Sequence, residues 1–202
     1  MKTRSRLSGL FGFLAIISSF VSTPVFATSL STLHNSGFAV VLIDMQQGFF
    51  ERGNTTNTPE LKNLIDHQVV LLDWAVKNEI PVLIFEYDTF GETDPRLIAA
   101  VQGHAFAQIT KYDDNGFGYE SNEAAVSQLK EWHVDSLIVA GINGEYCVKS
   151  TVFGAMQEGF DVMTSSDIVG NINENPPIYP NATWFFKGKK FVVFENLNSI
   201  IN

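Results

Sequence analysis

A chain of 202 residues with 45% hydrophobic and 17% charged side chains has the size and composition of one packed domain, which excludes disordered, collagen-like and coiled-coil classes. Lys and Arg number 13 against 22 Asp and Glu; without Lys2, Arg4 and Arg6 of the N-terminal segment the balance is 10 against 22, a formal charge of −12. No basic cluster with interleaved aromatics offsets that sign, so nucleic acid is not expected as a partner.

The chain opens with a basic stretch, Met1 to Arg6, then an apolar run from Leu10 to Ile17, then Val25-Phe26-Ala27. This is the three-part layout of a secretory signal peptide, and it predicts cleavage after Ala27 and an exported, periplasmic or secreted protein. Ser18, Ser19, Ser22, Thr23 and Pro24 make the segment a poor membrane span, so no stable membrane association is expected after cleavage. Residues 28–202 then form the single mature domain. Cys147 is the only cysteine, which excludes an intramolecular disulfide and leaves an unpaired thiol in an oxidising compartment.

Phe38 to Ile43 is a continuous apolar run of strand length, ended by Asp44, and reads as a strand buried on both faces. Thr58-Pro59 supplies a cap and a first-turn proline for a long helix, with Leu61, Leu64, Ile65, Val69, Leu72 and Val76 at helical spacing. Pro81 to Phe85 is a second buried strand, and Thr93-Asp94-Pro95 opens a short helix through about Val101. His104 to Ile109 is a weaker third strand before a loop from Lys111 to Tyr119. Ser121 caps a helix carrying Ala125, Val126, Leu129 and Trp132, and Ser136 to Ala140 is the fourth strand. A turn from Gly141 to Tyr146 leads into a helix from Cys147 to Glu158, closed by Gly159. Phe160 to Thr164 and Phe191 to Phe194 are two further strands, separated by a Pro- and Asn-rich loop from Asn171 to Asn181. Alternating strands and helices predict an α/β, three-layer, Rossmann-like fold: a mostly parallel sheet of about six strands with helices on both faces.

In such sheets ligands bind beyond the carboxyl ends of the strands. Asp44 ends the first strand, Glu86, Tyr87 and Asp88 the second, Lys111 follows the third and Cys147 the fourth. A carboxylate, a cation and a thiol converge on one edge. Singly, each has a structural use: Asp44 as a turn former, Lys111 as a solvated loop residue, Cys147 as a buried inert thiol. Together they can form a thiol hydrolase site without histidine, with the helix start expected to lower the thiol pKa. His34, His67, His104 and His133 have no metal-ligand spacing, and no Gly-x-Ser-x-Gly elbow or phosphate-binding glycine loop occurs. No metal and no cofactor is expected. A binding protein or redox thiol on the same scaffold, needing Cys147 without Asp44 and Lys111, is the competing reading.

Three segments in order resemble the isochorismatase-like cysteine hydrolases, a family that includes nicotinamidases. They are Ile43-Asp44-Met45-Gln46-Gln47-Gly48-Phe49, Lys111 to Phe117, and Gly141 to Val148 with Thr151 and Ala155. The resemblance implies Asp44 as base, Lys111 as electrostatic partner and Cys147 as nucleophile. It also implies a cis peptide between Ile142 and Asn143 that turns the Asn143 and Cys147 N–H groups toward one oxyanion. Gln46, Phe49, Glu86, Tyr87, Phe117 and Tyr146 are the accompanying candidates for substrate binding. The metal segment of nicotinamidases is absent after the second strand, where this chain reads Phe85 to Phe90. A vinyl-ether hydrolysis has no need of the thiol, so Cys147 directs the expectation to C–N cleavage of a small amide. Homo-oligomers are common in the family.

Overall fold

The computed structural model describes residues 37–171 and 182–202. The expected leader, 1–27, and positions 172–181 of the Pro- and Asn-rich segment lie outside the described residues. Strand β1 (Phe38–Ile43) is buried at all six positions, as a run with no polar residue requires. It pairs in parallel with β2 (Val82–Tyr87) on one side and β4 (Ser136–Gly141) on the other. With β3 (Phe106–Lys111), β5 (Asp161–Ser165), β6 (Ala182–Phe186) and β7 (Lys189–Phe194) the sheet has seven strands, in the order β3-β2-β1-β4-β5-β7-β6. Every pairing is parallel except β6 with β7.

The helices follow from the same alternation. Helix α1 (Gln47–Arg52) occupies the loop after β1, and α2 (Pro59–Lys77) begins where Thr58 accepts a hydrogen bond from the Leu61 N–H at 3.2 Å. Helix α3 (Pro95–Val101) packs beside α2 and is capped by Asp94. Helix α4 (Asn122–Glu131) precedes β4, α5 (Lys149–Gln157) follows it, and α6 (Asn198–Ile201) ends the chain. Connections that run leftward from β1 through β2 to β3 and then rightward from β4 to β5 put their right-handed crossovers on opposite faces of the sheet. The direction reverses between β1 and β4, which makes the space beyond their carboxyl ends the crevice of the fold. Among the described residues no helix is long and apolar enough to cross a membrane.

The structure departs from the sequence expectation in particular places. The sheet has a seventh strand, β6, paired antiparallel with β7 around Lys187 and Gly188, both at positive φ (49° and 79°). That is the geometry of a two-residue hairpin, built here without the usual Asn-Gly pair. Strand β3 starts and ends two residues later than its pattern implied, because it is an edge strand, half-exposed along most of its length. Lys111 therefore belongs to the strand. Ser121 does not cap α4 with its side chain; its hydroxyl donates to the Gly116 carbonyl at 2.7 Å.

One close approach fixes the crevice. Gly141 has φ +138°, and a Cβ there would stand 2.2 Å from the Ile43 carbonyl oxygen. The absence of a side chain lets β1 and β4 stay paired to their last residues, where the Ile142 N–H donates to that same carbonyl at 3.0 Å. Gly141→Ala is expected to lower stability by about 2 kcal/mol or more, read as a lower midpoint in urea unfolding. An unchanged midpoint would contradict this account of the β1–β4 contact.

Candidate active site

Asp44 follows the last residue of β1 and takes a positive φ of 55°, a conformation that Asp tolerates better than most residues. Its N–H donates to the Phe85 carbonyl at 3.0 Å, so the turn out of β1 is tied to β2. Lys111 ends β3, in register with Tyr87. Two strand spacings separate β3 from β1, about 9–10 Å, and the long lysine side chain crosses β2 to close that gap. Its Nζ lies 4.3 Å from the centroid of the Tyr87 ring, 2.9 Å from Asp44 Oδ2, and donates to the Asp113 carbonyl at 2.9 Å. Lysine and aspartate are both fully buried.

Cys147 comes from the crevice side of β4. The segment after β4 enters a turn of π-helix, Gly144–Val148, closed by the Val148 N–H on the Asn143 carbonyl at 3.1 Å, and continues directly into α5. Helical structure thus begins three residues before Cys147, not at it. The peptide between Ile142 and Asn143 is cis. The loop is braced from behind by residues 168–170: Gly141 N–H donates to the Ile168 carbonyl at 3.0 Å and Gly144 N–H to the Gly170 carbonyl at 2.9 Å.

The electrostatics of the three groups are coupled. Burial raises the Asp44 carboxyl to about 6 even though Lys111, and then the Cys147 thiol against it, act to lower it. Lys111 Nζ stands 2.9 Å from its Oδ2 as the ion-pair partner. The Cys147 thiol is 3% exposed, and burial, followed by the neighbouring Asp44 charge, pushes it well above its ordinary range. The expectation of a lowered thiol pKa is therefore corrected: desolvation and the Asp44 carboxylate outweigh Lys111. The resting pair is a neutral thiol beside a buried carboxylate.

The other candidate residues divide. Tyr87 lies under Lys111, edge-on to Phe49 at 6.0 Å, and Phe49 stacks on Phe90 at 4.0 Å. Gln46 is buried with its amide fully engaged: Nε2 donates to the Tyr87 carbonyl at 3.0 Å and the Gly91 carbonyl at 2.5 Å, while Oε1 accepts from the Tyr87 N–H at 2.7 Å. It shapes the wall by fixing Tyr87. Phe117 is packed between Phe85 and Phe160, and Tyr146 is an exposed rim residue. Glu86 does not join this group. Side chains alternate along β2, so Glu86 points to the opposite face from Tyr87, where its Oε1 accepts from the Thr93 N–H at 2.9 Å and hydroxyl at 2.6 Å.

Two residues without an assigned role from the sequence also meet here. Asp114 Oδ1 accepts from the Cys147 thiol at 3.5 Å. Thr151 of α5 is buried; its hydroxyl oxygen accepts from the Gly116 N–H at 2.9 Å, and the hydroxyl faces the Asp114 carbonyl at 3.4 Å. Asp114 and Cys147 are 33 positions apart, and an aspartate in a polar loop carries no local sign of such a contact. Among the described residues no group of three or more His, Cys, Asp or Glu could hold a metal ion.

Comparison with known proteins gives the family. A model of the isochorismatase domain matches residues 38–182. The chain is 28% identical over 149 residues to the probable hydrolase YcaC of Escherichia coli, covering 70% of this chain and 66% of that protein. It thus spans just under two thirds of the length of this curated relative. The E. coli YcaC crystal structure, an octameric hydrolase of unknown specificity, has a TM-score of 0.56 at 26% identity, covering 68% of this chain and 65% of that one. The Pseudomonas aeruginosa YcaC structure with hexane-2,5-diol and covalent acrylamide has a TM-score of 0.55 at 25% identity, covering 68% and 66%. With the domain match running from the first strand to the start of β6, the chain belongs to the isochorismatase family.

Proposed function

We propose that this protein is an exported cysteine hydrolase that cleaves the C–N bond of a small amide through a thioester on Cys147. The observation that carries the reading is the convergence of Asp44, Lys111 and Cys147, from three different strand ends, into one buried contact group. The family membership supports hydrolysis. The covalent acrylamide of the P. aeruginosa relative, an alkylating electrophile, supports a reactive nucleophile in that protein.

In this reading the Asp44 carboxylate takes the thiol proton as Sγ attacks the amide carbonyl carbon. The oxyanion forms at the start of the helical segment, beside the Ile142–Asn143 peptide and the Cys147 N–H. Collapse breaks the C–N bond, and Asp44 returns the proton to the departing amine. Water then attacks the thioester, again giving a proton to Asp44; the acid leaves and the proton returns to sulfur. Lys111 keeps Asp44 ionised in its dry surroundings and offsets the negative charge that develops. A thiol held neutral at rest suits this cycle, since proton transfer accompanies attack. Phe49, Tyr87 and Phe90, packed ring against ring, would supply an apolar wall for the substrate beside Lys111. Self-association is part of the proposal: the E. coli relative is octameric, and Trp184 and Phe185 stand exposed on the edge strand β6.

Asp44 must be ionised to accept the proton, so activity is lost as pH falls through its pKa. The acid limb of kcat/KM is expected near pH 6, with about a tenfold loss per unit below it. Lys111 is the largest influence holding that pKa down, so Lys111→Met should move the limb to higher pH by about one unit or more. A limb that stays in place in this variant would remove Lys111 from the mechanism. Asp44→Asn, of the same shape and unable to accept the proton, should lower kcat by about a hundredfold or more with little change in KM. Near-parental turnover in that variant would overturn the proposed chemistry.

Export is tested separately. The leader predicts a mature protein beginning at Thr28, so the intact mass of the exported protein should lack residues 1–27. A chain recovered with Met1 from the membrane fraction would contradict it.

A further inference from the structure

We propose that Asp114 is a specificity-determining residue that selects substrates bearing a cationic or hydrogen-bond-donating group next to the reacting carbon, and disfavours those bearing a carboxylate. The choice of amides as the substrate class rests on the hydrolase reading above; the charge preference at the thiol does not.

The first ground is contact. Asp114 Oδ1 lies 3.5 Å from Cys147 Sγ, while Asp114 as a residue is exposed. Its carboxylate therefore touches the nucleophile on one side and solvent on the other. A carbon bonded to Sγ sits within contact distance of Oδ1, so whatever that carbon carries meets this charge.

The second ground is that the carboxylate is held in place. Lys111 Nζ donates to the Asp113 carbonyl at 2.9 Å, Asp113 Oδ1 accepts from the Asn115 N–H at 2.7 Å, and Asn115 Oδ1 accepts from the Phe117 N–H at 3.0 Å. Thr151 ties the loop to α5 at Gly116 and Asp114. Helix α5 has Gly154 where it passes the loop, and a Cβ there would stand 2.2 Å from Asn115 Oδ1. The loop is thus seated against the helix on both sides of Asp114.

The third ground is charge balance. Lys111 is matched by Asp44 at 2.9 Å, and the nearby Lys149 lies 3.7 Å from Glu145. Among the described residues no Lys, Arg or His lies within 4.0 Å of Asp114. The group at the thiol therefore carries one uncompensated negative charge, and Asp114 adds to the influences that keep the thiol protonated. A substrate amine or amide N–H placed on Asp114 removes that burden at the moment the thiol is needed. A substrate carboxylate adds to it.

Cys147 is the only cysteine, so each methanethiosulfonate that forms a mixed disulfide with the thiol, releasing methanesulfinate, reports this site alone. The test uses the full chain with three such reagents: 2-aminoethyl (cationic), methyl (neutral) and 2-sulfonatoethyl (anionic). Labelling rates are followed by intact mass and divided by those of mercaptoethanol. The cationic reagent is expected to outrun the anionic one by about tenfold or more. Asp114→Asn should reduce that ratio severalfold. Asp113→Asn should leave it nearly unchanged, since that carboxylate is bonded to the Asn115 N–H. A ratio near one in the parent, an unchanged ratio in Asp114→Asn, an equal fall in Asp113→Asn, or no labelling by any reagent would each overturn the proposal. Amide turnover with a ratio near one would sink the Asp114 proposal alone. The expected ratios in a protein that hydrolyses no amide would sink the hydrolase reading and leave this one standing.

Discussion

The contact on which the site depends is the ion pair between Asp44 and Lys111, 2.9 Å apart and fully buried. Removing both charges from water costs several kcal/mol per ion, and a buried pair returns this only when its remaining hydrogen-bonding capacity is used. Lys111 is well provided, with the Asp44 carboxylate, the Asp113 carbonyl and the face of Tyr87. Asp44 has Lys111 and the Cys147 thiol against it, and burial still holds its pKa near 6 against their pull. An apolar pair of similar volume would serve folding better. A buried carboxylate with its pKa raised toward neutrality serves proton transfer better, and strongly perturbed groups of this kind concentrate at functional sites.

The sheet explains why these groups can meet. The strand order reverses between β1 and β4, and Gly141 lets those strands remain in contact to their ends. Asp44 and the segment leading to Cys147 leave from adjacent strands into the same crevice. Lys111 starts two strands away and reaches the pair across β2, with its Nζ over the Tyr87 ring. Gln46 then fixes the backbone of Tyr87 from both directions. The walls of the site are thus held by β-sheet pairing and buried amide contacts.

Much of this was legible in the sequence because the signals are local. The uninterrupted Phe38–Ile43 run is a buried strand, Thr58-Pro59 starts α2, and Asp94-Pro95 starts α3. Asp44, Lys111 and Cys147 followed from the rule that ligands gather at strand carboxyl ends. What was missed depends on partners far along the chain. Asp114 acquires its meaning only from a thiol 33 positions away. The hairpin of β6 and β7 turns on Lys187 and Gly188, a weak turn signal that a Pro- and Asn-rich neighbour obscures. Glu86 is a different kind of error: strand alternation alone separates it from Tyr87, once Tyr87 faces Lys111. The sign of the thiol shift was misjudged because burial of Cys147 to 3% exposure is a tertiary fact.

Amide hydrolysis at this site requires that Cys147 become covalently acylated. Acid-quenching the protein during turnover of small saturated amides such as acetamide and propionamide, followed by intact mass and adduct mapping, reads that step directly. A mass increase equal to the acyl group is expected at Cys147, transient in the parent and absent in Cys147→Ala, which should also show no turnover. Hydrolysis that persists in Cys147→Ala would contradict it.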